Sequence, residues 1–211
     1  LADLEEVIKT AIQAALKETH TALPCQVISF NAAKQTVDVQ PAIKRIFSDG
    51  DEVLIPQITG VRIGYQRVND FAITFPITKG DEGVLIFNER SIEAWRQSGD
   101  LLAPNDTRTH DYSDALFLPM MYSDPKVISS VSGTDLEIRT SDGTGKISIA
   151  PDGKMELENS GGKVLQTVSD TLGELGITTV TVTGGSSAGT YNIDNQANFL
   201  ALQSVIDAIK K

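Results

Sequence analysis

The stretch "RTHDYSDA" (108–115) sets His110 beside Asp111 and four residues from Asp114. A histidine with two carboxylates can hold a metal ion or act as a general base. A second set, Glu89, Arg90, Glu93, Trp95 and Arg96, joins an aromatic ring to charges of both signs, as a sugar or nucleotide pocket would. The structural counterpart of that reading packs Trp95 over the open end of a barrel, with Arg90 and Glu93 as its polar neighbours. His20 follows an N-terminal helical stretch, where a cation complements the helix dipole. Cys25 is the single cysteine, which excludes an intramolecular disulfide framework and reads as a small buried apolar side chain. No serine sits in a nucleophile elbow, and no glycine loop has phosphate-binding spacing. Beyond these two constellations the sequence offers no catalytic residue, metal ligand set or cofactor site, and an enzyme is not expected.

Composition narrows the partners. Lys and Arg total 18 against 28 Asp and Glu, for a net charge of -10 over 211 residues. Backbone binding to nucleic acid needs clustered positive charge, and no basic run is present, so no nucleic-acid partner is expected. No stretch approaches the roughly 20 apolar residues that span a bilayer. The first residues begin acidic, without the basic-then-apolar layout of a secretory signal.

The elements that must position these residues change period along the chain. Leu4, Val7, Ile8, Ala11, Ile12, Ala15 and Leu16 are spaced as one face of an amphipathic helix. From Cys25, "CQVISFN" and "QTVDVQPAIKRIF" alternate around Asn31-Ala32-Ala33-Lys34, and "DFAITFPIT" and "EGVLIFN" follow across a "KGDEG" turn. Short strands without intervening helices indicate a small β-barrel or sandwich over about residues 24–120, with a brief helix or long loop at 90–100. Beyond Ser129 the strands thin to apolar pairs: Leu136/Ile138, Ile147/Ile149 and Met155/Leu157, separated by Asp-, Gly- and Ser-rich turns. Leu165, Val168, Leu172 and Leu175 then form a short heptad-like seam. After a strand in "ITTVTVTGG" and a pliable "GGSSAGT" link, Phe199, Leu202, Val205, Ile206 and Ile209 share a helical face.

Strands this sparse are marginal alone. They could be covered by the barrel, as an ordinary meander packed on it, by another protein, or by copies of themselves. Association of three copies covers both the strand pairs and the seam along one axis, and a closed prism leaves no free sheet edge. The expected fold is therefore mainly β: an N-terminal helix (1–22), a barrel (23–125), an intertwined trimeric β-helix or prism (126–162), and a helix–strand–helix cap (163–211). The trimer-axis core is Leu136, Ile138, Ile147, Ile149, Met155, Leu157, Leu165, Val168, Leu172 and Leu175. The C-terminal apolar face folds back onto the seam or receives a separate tip protein.

"LPCQVISFNAAKQTVDVQPAIKRIF", "GDEGVLIFNERSIEAWRQSGD" and "RTHDYSDALFLP" resemble the N-terminal OB-fold domain of contractile-tail baseplate central spikes, the membrane-piercing spike and baseplate assembly V family. The resemblance covers about residues 23–122 and loosens over the later repeats. It implies a homotrimer in the tail baseplate of a virion, made in the host cytoplasm. It also implies contact with tail tube or hub proteins, and with the host outer envelope during penetration. In it, Arg90, Trp95, Arg108, His110 and Asp114 take structural roles, with Arg108 and Asp114 fixing the exit from the last barrel strand. An alternative from the same residues is a glycan-binding adhesin on a trimeric β-stalk. One departure is plain: spikes of this family commonly end in His-x-His pairs that hold an apical iron, and no such pair occurs. Elemental analysis of the purified protein is expected to find no stoichiometric iron, and one iron per trimer would reveal ligands of another kind.

Overall fold

Apolar–polar alternation becomes a closed barrel in the first half of the chain. The computed structural model describes residues 3–47 and 49–210, and its contacts divide into two units, Leu1–Lys126 and Val127–Lys211. The first opens with α1 (Leu4–Lys17), whose Glu5, Glu6 and Lys17 lie where the dipole favours them. None of its side chains is buried. There follow β1 (Ala22–Asn31), β2 (Thr36–Pro41), the short pair β3 (Arg45–Ile46) and β4 (Glu52–Val53), then β5 (Ile58–Ile63). A hairpin of β6 (Gln66–Val68) and β7 (Phe71–Ile73) precedes β8 (Glu82–Phe87), α2 (Glu93–Ser98) and β9 (Ala115–Leu118).

The barrel closes in the order β1-β2-β5-β9-β8. Its five strands are thus arranged first-second-third-fifth-fourth, with β5 and β9 parallel and the other pairs antiparallel. This is the five-stranded Greek-key closure of an OB fold. Val27, Val39, Val61, Leu85 and Phe117 alternate inward and form the centre of the core. Cys25 is buried with them, and burial pushes its thiol up to about 12. The strand β5 does not stand out in the sequence, because Gly60, at φ 66°, interrupts its alternation. Conversely, "DFAITFPIT" supplies only the exposed β7 and no barrel strand.

The second unit contains β10 (Leu136–Arg139), β11 (Lys146–Ile149), β12 (Met155–Asn159) and β13 (Gly162–Lys163), hydrogen-bonded as an antiparallel meander. Then come α3 (Val164–Ile177), the hairpin β14 (Thr179–Val182) and β15 (Gly189–Asn192), and α4 (Gln196–Ile209). The segment read as a pliable link therefore supplies part of a return strand, paired Val180 to Tyr191 and Val182 to Gly189.

The helices α3 and α4 lie antiparallel across small residues. A Cβ on Gly173 would meet the Gln203 side chain, and one on Gly176 would meet Leu200. Ser169 donates to Asp207 (2.6 Å), and Lys210 donates to Ser169 (2.9 Å). The last helix packs against α3 within the chain, through these small and polar residues. Of its expected apolar face, Phe199 and Ile206 are half-buried, whereas Leu202, Val205 and Ile209 remain exposed.

Buried apolar side chains are confined to the barrel unit. Among the described residues of 127–210, the buried side chains of any size are Ser148, Glu156 and Ser169, each 1% exposed. In the barrel, the tight approach of β8 to β9 yields a prediction. A Cβ on Gly83 would lie 2.6 Å from the Leu118 carbonyl oxygen and collide with the Phe117 ring. Gly83→Ala is expected to cost about 1–3 kcal/mol in chemical denaturation; an unchanged midpoint would mean that the strands separate freely there.

Candidate assembly surface

The polar motif singled out in the sequence gathers beside β9. Arg108 donates through Nε (2.6 Å) and Nη2 (3.2 Å) to the two carboxylate oxygens of Asp114, whose side chain is 2% exposed. The Asp114 carboxylate also accepts the Ile92 N–H at 3.0 Å, which ties the segment before α2 to the barrel. Burial alone would favour the neutral acid. The hydrogen bonds from Arg108 and Ile92 and the guanidinium charge outweigh it, so the carboxyl titrates below its ordinary range. The pair stands immediately before β9, at the start of the last barrel strand and not at its exit.

Asp111 accepts the Ser113 side-chain and backbone donors and so caps a short 3₁₀ turn at Tyr112–Asp114. His110 sits at φ 50°, and its Nδ1 lies 3.1 Å from the His20 carbonyl oxygen. That contact is a hydrogen bond only when Nδ1 carries the proton. The three residues of "HDYSD" that suggested a base or a metal site are thus engaged with the backbone, Ser113 and Arg108. Among the described residues, no group of three or more His, Cys, Asp or Glu side chains converges as a metal site would.

Two local expectations are corrected. His20 is not a cation at a helix end: α1 stops at Lys17, and the His20 ring stacks on Tyr112 at 3.9 Å with Phe87 edge-on. Burial lowers its pKa and favours the neutral ring. Trp95 does not cover the barrel end; it is 57% exposed, because α2 presents it outward. Arg90 pairs with Glu89 (3.2 Å) and Glu93 faces Arg108 (3.9 Å), so neither partners the indole.

The sheet of the second unit carries an uncovered apolar face. Leu136 pairs with Ile149, Ile138 with Ile147, Ile147 with Leu157 and Ile149 with Met155. Because strand side chains alternate between faces, all six share one side of the sheet. Their exposure runs from 38% at Ile149 to 65% at Leu136. The opposite side is polar: Glu137, Ser148 and Glu156 form one cross-strand row, and Arg139, Lys146 and Glu158 the next. Lys146 pairs with Glu158 at 3.2 Å and Arg139 with Glu137 at 3.5 Å. Glu156 accepts the Leu165 N–H at 3.2 Å and so serves the first turn of α3. The charged side of the sheet is therefore the one joined to α3 within the unit, and the apolar side is exposed. On α3, Val168 and Leu175 are exposed and Leu165 and Leu172 half-buried. The interhelical contact uses Ser169, Gly173 and Gly176 beside this seam, which sequence spacing did not reveal.

Residues 23–120 match the family model described as the phage protein Gp138 N-terminal domain. The barrel is thus similar to a phage protein domain, and the match supports a phage structural protein and a virion component. No curated protein matches the chain.

The Arg108–Asp114 pair makes the barrel acid-sensitive. A carboxyl whose folded pKa is depressed stabilises fully above its unfolded value of about 4, and the contribution fades as pH falls through the folded value. Asp114→Asn is expected to lower barrel stability by about 1.5–3 kcal/mol at neutral pH. Unfolding followed through Trp95 should show that deficit shrinking as the pH drops below about 4. A deficit that grows toward acid would mean that the carboxylate is not the stabilising form.

Proposed function

We propose that this protein is the homotrimeric central spike of a contractile phage tail or phage-like particle. In this reading it caps the tail tube at the baseplate, contacts tube or hub proteins, and punctures the host envelope mechanically, without catalysis. One observation carries the proposal: the second unit has its apolar sheet face exposed and, among its described residues, no buried large apolar side chain. A unit of that size cannot offset its ordering entropy without burying apolar surface. Three copies turned inward about one axis would bury the six-residue face, and α3 would continue the axis through Leu165, Val168, Leu172 and Leu175. Force delivered along such an axis would meet a stiff column, since removing one chain would expose its whole apolar wall.

The similarity of the barrel to a phage protein domain supports the setting. The exposed residues Leu202, Val205 and Ile209 on α4 would be covered in the trimer or would receive a tip protein.

Light scattering should give three times the protomer mass. Ile147→Asp with Ile149→Asp should abolish assembly, because several like charges would be buried near one axis. A stable monomer of the unmodified chain, or a double mutant that assembles normally, would overturn the proposal.

A further inference from the structure

The barrel unit carries a groove of about 620 Å³ whose walls include Arg62, Tyr65, Arg67, Trp95 and Arg96. Its guanidinium groups come from β5, β6 and α2 respectively, so no basic run marks them in the sequence. Arg62 donates to the Lys34 carbonyl (2.9 Å) and Arg96 to the Gly60 carbonyl (3.1 Å). Those bonds fix the two side chains and leave most of their donors free. Among the described residues, none of the three arginines has a carboxylate within ion-pair distance, while the nearby Glu93 is turned to Arg108. In a chain with 28 acidic residues and a net charge of -10, three adjacent uncompensated arginines are an exception that asks for an anion.

We propose that this groove binds an anionic oligosaccharide, with its carboxylate or phosphate on Arg62, Arg67 and Arg96 and a sugar ring against Trp95. The indole is 57% exposed, and its backbone is fixed at the end of α2. Gly99, in the left-handed conformation at φ 77°, closes that helix by donating to the Trp95 carbonyl (2.8 Å). An open aromatic face accepts the C–H side of a sugar ring, and Gln35 and Gln97, which also line the groove, suit its hydroxyls. Nucleic acid fits less well. A strand needs positive charge tracked along several nucleotides, whereas here it is confined to one groove on an acidic protein. All of the groove's lining residues lie within the barrel unit.

Trp95 is the only tryptophan, so its emission reports on the groove directly. Titration of the full chain with oligogalacturonate should change that emission saturably, with affinity falling as salt is raised. Neutral malto-oligosaccharide of equal length should bind at least about tenfold more weakly. Arg67→Glu, on an exposed hairpin strand, should lose at least about tenfold in affinity with an unchanged thermal melt, and Arg67→Gln should lose less. Four outcomes would overturn the proposal: no saturable response to oligogalacturonate, equal binding of the neutral sugar, tighter binding of an oligothymidylate, or an unaffected Arg67→Glu variant.

Discussion

Apolar surface must be covered, and in this chain the two halves meet that requirement differently. The barrel satisfies it internally: Val27, Val39, Leu85 and Phe117 are fully enclosed by five strands. The second half does not. Among its described residues the buried side chains are two serines and a glutamate, and the leucines, isoleucines and valines are exposed or half-covered. Everything inferred about assembly depends on that contrast, because the hydrophobic term is the dominant favourable contribution to folding.

The polar interactions explain why the second unit is built this way round. The row of Glu137, Ser148 and Glu156 and the row of Arg139, Lys146 and Glu158 occupy the side of the sheet that the chain itself covers. Glu156 joins this side to the start of α3, while Ser169, Asp207 and Lys210 join α3 to α4. Hydrogen bonds and ion pairs thus set the shape of the unit, and the apolar side of its sheet is left exposed. In the barrel the roles are reversed: apolar packing makes the body, and Arg108–Asp114 fixes the loop segments that cross it.

Much of this was readable from residue order. The alternation in β1, β2 and β8 and the apolar pairs in β10–β12 follow the two-residue period of a strand, and α1, α3 and α4 follow the helical one. The third barrel strand was hidden because Gly60 and Arg62 break its pattern, and the return strand β15 because "GTYN" has one large apolar side chain. Trp95 misled for a physical reason: an aromatic residue in a β-rich chain is expected to be covered, and nothing in the sequence shows that α2 turns it outward. The grouping of Arg62, Arg67 and Arg96 was illegible because it depends on barrel closure bringing separate elements together.

The order of the two units along the chain has a kinetic consequence. During synthesis the barrel is completed first, and its folding is unimolecular, so it proceeds at a rate independent of how many copies are present. Completion of the C-terminal unit is instead a collision-limited step if its apolar side is closed by other copies. Once barrels are tethered to the same assembly, the local concentration of those C-terminal segments rises far above that in free solution. A chain arranged in the opposite order would present its uncovered isoleucines before any folded body existed to space the copies apart, at the stage when aggregation is fastest.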